Sequence, residues 1–133
     1  MSDLSVDDQR NENRLRQIHD YIRHTFQLFL AWFTFFAGIN YVALGWLAGT
    51  TAKPPPSLVL ALALNLVIQN LLGMIAAVIV ERVLTDLASK ASKLEAPDTI
   101  VPIALYRGSV VLIGIALLVT ASIWAFVIVI YSR

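Results

Sequence analysis

The side chains whose types first suggest chemistry are His19, Asp20 and His24, because imidazole and carboxylate groups can bind a metal ion or move protons. The two histidines lie five positions apart, whereas zinc ligands that share one helix face lie four apart. Asp20 lies four residues after Arg16 and four before His24, which predicts two helical charge pairs worth a few tenths of a kcal/mol. We therefore expect no metal site and no cofactor.

Other catalytic chemistry also lacks its residues. The chain has no cysteine, which excludes disulfides, thiol nucleophiles and thiolate metal sites. It has no glycine-rich phosphate loop and no nucleophile elbow. Glu81 is the carboxylate nearest a long apolar stretch; it follows that stretch directly and precedes Arg82, which predicts an interfacial charge rather than a buried proton carrier. We expect that this chain is not an enzyme.

The elements that position these residues are long apolar helices. Of the 133 residues, 58% are apolar and 14% charged, against roughly 45–50% and about 25% in soluble domains. Three stretches without Asp, Glu, Lys or Arg can each cross a hydrocarbon core of about 30 Å: 25–48, 58–80 and 108–131. The sequence predicts an all-α integral membrane protein with three transmembrane helices and cytoplasmic amphipathic extensions.

The basic residues predict the orientation of these helices. Eight of the ten lie in segments 1–24 and 81–107, which the positive-inside rule places in the cytoplasm. The proline-rich loop 49–57 and the C-terminus then lie outside the cell, and we expect a multi-pass protein of the inner (plasma) membrane. The net charge of +1 gives no reason to expect nucleic acid as a partner.

The water-facing segments are expected to be helical as well. Leu15, Ile18, Ile22 and Phe26 recur at helical spacing, which predicts an amphipathic helix that lies on the membrane surface or continues into the first span. A similar pattern after the second span predicts a helical extension that ends near Pro97. The basic residues expected to contact anionic lipid headgroups are Arg14, Arg16, Arg23, Arg82, Lys90, Lys93 and Arg107.

Neutral polar and small residues within the spans need partners where water is absent. The predicted helix-interface or pore-lining residues are Asn65, Gln69, Asn70, Gly73, Asn40, Thr34, Gly38, Thr120 and Ser122. Counting inward at about 1.5 Å per residue places Asn40, Asn65 and Ser122 roughly 12–14 Å below the outer surface. This predicts a polar layer centred on Asn65. The alternative is that these groups only join helices, at about 0.6 kcal/mol each.

The architecture resembles that of the small three-helix bacterial diacylglycerol kinases in length, topology and the residues Gly108-Ser109-Val110-Val111. That family uses a glutamate-rich motif at the inner end of its second helix. Here Gly73 to Val80 carries no carboxylate, and Glu81 stands without a second one. The resemblance therefore covers architecture alone, and phosphoryl transfer is not expected.

Polar faces on all three spans exceed what one small bundle can bury, which favours a homo-oligomer or a place inside a larger assembly with another membrane protein. The leading hypothesis is a membrane-embedded assembly or weakly selective pore-forming subunit that self-associates through the face of Asn65, Gln69 and Gly73. The alternative is a non-conducting accessory, regulatory or immunity-type subunit that binds another membrane protein.

Overall fold

The computed structural model describes residues 6–52, 54–94 and 103–133. They form three α-helices: α1 spans Val6–Gly49, α2 spans Pro56–Ser92 and α3 spans Ile103–Tyr131. Each is long and apolar enough to cross a membrane. The predicted all-α, three-helix membrane fold is confirmed.

Helix α1 runs without a break from the predicted amphipathic segment into the first span. Its 44 residues extend about 66 Å at 1.5 Å per residue, roughly twice the thickness of a hydrocarbon core. Of the two alternatives for this segment, the structure shows the one in which the helix continues. Residues 1–5 of the predicted segment 1–24 lie outside the described residues.

The proline-rich loop ends α1 and starts α2. Pro54 and Pro55 are not helical, and Pro56 is the first residue of α2. Proline is tolerated there because the first turn of a helix has no partner for its N–H groups. Lys53, the basic residue of this loop, lies outside the described residues.

The link between α2 and α3 is described only at its ends. Helix α2 continues beyond the apolar stretch to Ser92, and the backbone N–H of Leu94 donates to the carbonyl of Ala91 at 2.8 Å. The predicted helix end near Pro97 lies outside the described residues.

Helices α2 and α3 pack along their length, while α1 packs mainly on α2 and meets α3 at few positions. One buried cluster joins the N-terminal half of α1 to both other helices through Ile22, Phe29, Ala77, Leu84, Val110, Ile113 and Leu117. A second cluster joins the far ends through Ala43, Ala63, Leu66 and Trp124. We call the end with Ile22, Leu84 and Tyr106 the basic end.

Most of the surface of each apolar helix faces away from the other two. In the most apolar stretch of α1, α2 and α3, the buried share is 17%, 28% and 22% of residues. Large apolar residues such as Leu64 and Ile75 on α2 and Leu112 on α3 are exposed. This surface is available to lipid or to other proteins.

Candidate functional site

The strongest polar feature inside the apolar region is a network of three side chains, one from each helix. Asn40, Asn70 and Trp124 are 3%, 2% and 0% exposed. Helical spacing places them there: Asn70 lies four residues after buried Leu66, and Trp124 lies seven after buried Leu117. Each therefore occupies the core-facing stripe of its helix.

The amide oxygen of Asn40 is the centre of this network. It accepts a hydrogen bond from Asn70 Nδ2 at 2.9 Å and another from Trp124 Nε1 at 2.8 Å. Asn40 Nδ2 donates to the carbonyl of Phe36 at 2.8 Å, and Asn70 Nδ2 also donates to the carbonyl of Leu66 at 2.6 Å. The two lone pairs of Asn40 Oδ1 thus hold α2 and α3 against α1.

Asn40 bonds both within its own helix, at Phe36, and to the two other helices. Asn40 and Asn70 were each predicted to need a partner, and the structure brings them together. Asn40 and Asn70 lie at the same height along the bundle. Asn40 is nine residues before the end of α1, whereas Asn70 is fourteen residues after the start of α2. The two helices are therefore offset along the bundle axis.

A cleft of about 420 Å³ reaches this network between α1 and α3. It exists because those two helices touch at few positions. Its walls are mainly apolar, with Asn40, Asn70, Tyr41 and Thr120 as the polar residues. The lining has no carboxylate, amine or imidazole, so this site can hold a neutral polar group by hydrogen bonds but offers no strong acid or base at neutral pH.

Gly73 lies beside the network, where three helices come close. A Cβ atom placed on it would lie 3.1 Å from Leu117 Cδ1 and 3.1 Å from a ring carbon of Trp32. The missing side chain therefore allows Trp32 of α1 and Leu117 of α3 to meet on α2.

Asn65 and Gln69 do not join the network. Asn65 is exposed, makes no hydrogen bond within the described residues, and lies in a shallow depression with Ala61, Leu64 and Ile68. Gln69 is half-buried, and its Oε1 is buried without a hydrogen bond from the described chain. Within one molecule the polar layer is thus centred on Asn40 rather than on Asn65. A role of Asn65 in contacts between molecules stays a prediction.

The predicted hydroxyl residues are satisfied by their own helices. Thr34 donates to the carbonyl of Leu30, Thr120 to that of Ala116, and Ser122 to that of Leu118, at 2.8, 2.8 and 2.9 Å. Gly38 is exposed, and a Cβ there would meet nothing within 4 Å in the described chain. Thr34 and Gly38 thus lie on an outward surface of α1.

At the basic end, the residues predicted to contact lipid headgroups are all exposed. Two predicted charge pairs are wrong: Arg16 binds Glu12 at 2.6 Å rather than Asp20, and Asp20 binds Arg23 at 3.3 Å rather than Arg16 or His24. A carboxylate placed four residues before its basic partner is the favoured helical order, which the pair of Glu12 and Arg16 follows. Lys90 likewise binds Asp86, while no ion pair involves Arg14, Arg82 or Lys93 within the described residues.

Glu81 makes the one ion pair between helices in the described residues. Its Oε1 accepts from Arg107 Nη2 at 2.8 Å, from Arg107 Nε at 3.0 Å and from Thr85 Oγ1 at 3.1 Å. Because Arg107 and then Thr85 donate to the carboxylate, the pKa of Glu81, which lies just outside the apolar stretch 58–80, is below its ordinary value. The expected interfacial charge is thus bound to α3 rather than to its neighbour Arg82.

Trp124 was missed by the sequence reasoning. Its signal was an indole N–H deep within an apolar span, where a donor needs a partner. The stripe Val110, Ile113, Leu117 and Trp124, at spacings of three, four and seven, would have placed it on the buried face.

No protein-family model, curated protein or solved structure matches this chain. Within the part of the chain that the structure describes, no three histidine, aspartate or glutamate side chains are grouped as a metal ion would require. The candidate site is therefore interpreted from its own residues.

Proposed function

We propose that this chain is a subunit of a membrane-embedded homo-oligomer. The observation that carries the proposal is Asn65: a primary amide in the middle of an apolar stretch, exposed, and without a hydrogen bond in the described chain. An amide facing hydrocarbon loses the hydrogen bonds that water would give it. A second copy supplies a donor and an acceptor and removes that cost.

The outward surface of α1 supports the same proposal. Gly38, Tyr41 and Gly45 recur at spacings of three and four and are exposed, with Tyr41 at 75%. Gly38 and Gly45 lie on a different side of α1 from the buried face of Asn40, and Tyr41 lies between that side and Asn40, on the wall of the cleft. Small residues with no atom of the described chain near them allow another helix backbone to approach closely.

In a pore-forming oligomer, the conduction path lies between copies of this chain. Within one chain the amides of Asn40 and Asn70 bind each other and Trp124, so they close the bundle centre. The outward polar groups, Asn65 and Thr34, carry no charge, and a path that they line is weakly selective.

The experiment is the mass of the purified protein in native nanodiscs, for the wild type and two variants. Asn65→Leu removes the amide at constant bulk and is expected to shift the mass toward the monomer. The matched control Ile75→Leu changes an exposed apolar residue of the same helix and is expected to keep the oligomer. A wild-type monomer, or a complex with a second protein, contradicts the proposal. A ring of four or more copies calls for conductance recordings.

A second candidate is a non-conducting accessory subunit that binds another protein. It is favoured by the basic end, where α1 and α2 extend beyond their apolar stretches and pack through Ile22 and Leu84 while exposing charged side chains. This charged surface at the basic end fits a water-soluble partner or the soluble part of a membrane protein. Co-purification that is lost when exposed charges such as Arg14 are reversed, with a wild-type monomer in nanodiscs, supports this candidate instead.

The proposed subunit lies in the inner (plasma) membrane with the basic end in the cytoplasm. The basic end holds the N-terminal part of α1, the C-terminal part of α2 and the start of α3, and its basic side chains are exposed to anionic headgroups. Reporter fusions at each terminus test this: a reporter active only in the cytoplasm is expected to work at the N-terminus and to fail at the C-terminus.

A further inference from the structure

A second cavity lies on the opposite side of α2 from Asn65. It is an open groove of about 300 Å³ between α2 and α3, in the half of the bundle nearest the basic end. Its lining is apolar except at one end, where Glu81 belongs to it. The lining residues are Met74, Ala77, Val78, Glu81, Val110, Val111, Gly114, Ile115 and Leu118.

The groove exists because its floor is made of small residues. A Cβ placed on Gly114 would lie 3.7 Å from the Cβ of Ala77, an ordinary contact, so these two residues bring α2 and α3 together without filling the space above them. The longer side chains of Val78, Ile115 and Leu118 rise on either side of this floor and are exposed. The result is a slot that runs along the helices and opens toward lipid.

The dimensions and direction of the slot match one lipid chain. On α3 the lining of the slot runs from Val110 to Leu118, or about 12 Å. Its far end lies eleven residues from Arg107, or about 16 Å, close to half of a hydrocarbon core of about 30 Å. An acyl chain in the slot therefore begins at the basic end, where a headgroup lies, and reaches about the bilayer centre.

Glu81 lines the slot and has two cations, Arg107 and Arg82, beside it, and these charges select the headgroup. Glu81 Oε1 accepts hydrogen bonds from Nε and Nη2 of Arg107. Nη1 of Arg107 has no partner in the described chain. Arg82 follows Glu81 directly, is exposed and makes no ion pair within the described residues. Two cations and one carboxylate leave one positive charge in excess, which complements a phosphate group with net negative charge.

We propose that the slot between α2 and α3 binds one anionic glycerophospholipid, with its phosphate on Arg82 and Arg107 and one acyl chain between Val78 and Leu118. The occupant is a lipid of the leaflet at the basic end. Glu81 limits the affinity, because its carboxylate competes with the phosphate for Arg107.

The test is native mass spectrometry of the protein released from nanodiscs that contain equal amounts of phosphatidylglycerol and phosphatidylethanolamine. The wild type is expected to keep one phosphatidylglycerol per chain. Gly114→Leu and Val78→Trp fill the slot from its floor and from its wall and are expected to lose that lipid. The matched control Ala125→Leu adds bulk to an exposed position of α3 outside the slot and is expected to keep it.

The charge variants separate a lipid site from simple adhesion of lipid to an apolar surface. Arg82→Gln is expected to lower phosphatidylglycerol retention about fivefold, the factor that one basic residue near an anionic surface supplies. Glu81→Gln is expected to raise it, since the competing charge is removed. Equal retention of both lipids by the wild type, or retention that neither slot-filling variant reduces, overturns the proposal. The oligomer mass in the same spectra reports on Asn65-dependent association separately.

Discussion

The indole N–H of Trp124 lies 2.8 Å from the amide oxygen of Asn40, and this hydrogen bond joins the first and last helices across 84 positions of sequence. Helices α1 and α3 otherwise touch at few places. One of these is an edge-to-face contact in which the ring centroids of Phe26 and Tyr106 lie 4.9 Å apart. The bond between Trp124 and Asn40 therefore fixes the position of α1 on the other two helices.

Loss of the Asn40 acceptor is expected to destabilise the fold more than loss of either donor. Asn40→Leu leaves the Trp124 N–H unpaired and costs about 1–3 kcal/mol. Trp124→Phe removes one donor, worth about 0.6 kcal/mol as a hydrogen bond between membrane helices, plus some packing. Unfolding in detergent followed by circular dichroism measures both, and the double variant gives their coupling.

Ser122→Ala is the control for this pair, because its hydroxyl bonds only to its own helix at Leu118. Its free energy of unfolding is expected to stay within about 0.5 kcal/mol of the wild type. Additive effects of Asn40→Leu and Trp124→Phe would show that the bond does not form in solution.

The two glycines Gly73 and Gly38 are expected to respond oppositely to alanine. A Cβ on Gly73 would lie 3.1 Å from atoms of Trp32 and Leu117, so these packed side chains must shift by a few tenths of an ångström. Such overpacking costs about 1–3 kcal/mol, and the helix propensity of alanine, up to about 1 kcal/mol, offsets only part of it. Gly38→Ala meets nothing in the described chain and, in the monomer in detergent, gains up to about 1 kcal/mol of helix stability. Thermal unfolding of the two variants compares them; a gain at Gly73 would contradict the close packing there.

The ion pair between Glu81 and Arg107 is expected to make stability fall in acid. The pKa of Glu81 is lowered in the folded protein by Arg107 and Thr85. Its contribution is therefore complete above the pKa of Glu81 in the unfolded chain and is lost as pH falls through the lower pKa of the folded protein. Thermal unfolding at a series of pH values measures this, and Glu81→Gln is expected to remove this part of the acid dependence. An acid dependence unchanged in that variant would assign it to other groups.

Packing at the basic end is expected to depend on Leu84, which is fully buried against the cluster that contains Ile22. Leu84→Ala costs about 2–5 kcal/mol if the cavity stays open. Leu105→Ala, at a residue of α3 that is 70% exposed, is the matched control and is expected to cost little. Hydrogen exchange of the amides near Ile22 shows whether α1 and α2 separate there.

The fold could be predicted from the sequence because one physical effect dominates it, the removal of apolar helices from water. Runs such as 58–80 contain no charge, and only a helix satisfies their backbone inside a bilayer. The polar contacts between helices were harder to predict. Asn40 and Asn70 were recognised as needing partners, but their pairing depends on the axial offset of α1 and α2, which is set by packing and not by residue counts from the helix ends.

The same limit explains the other differences. Charge pairs such as Asp20 with Arg23 are decided between helical spacings of three and four by a few tenths of a kcal/mol. Viewed down the axis of α2, Asn65 and Asn70 lie on the same half of the helix. Nevertheless Asn70 is buried and Asn65 is exposed. Which part of that half is buried depends on where α1 and α3 pack against α2, as Trp32 and Leu117 do at Gly73.

The unbroken course of α1 and α2 past the ends of their apolar stretches has a mechanical consequence. Neither helix turns where its apolar stretch meets the charged one, so the described residues of α1 and α2 place no bend at the membrane surface there. In a thinner or thicker bilayer the three helices, held together by Asn40 and by the pair of Glu81 and Arg107, are expected to change tilt as one body. Hydrophobic mismatch is then expected to change the angle at which the N-terminal part of α1 leaves the membrane.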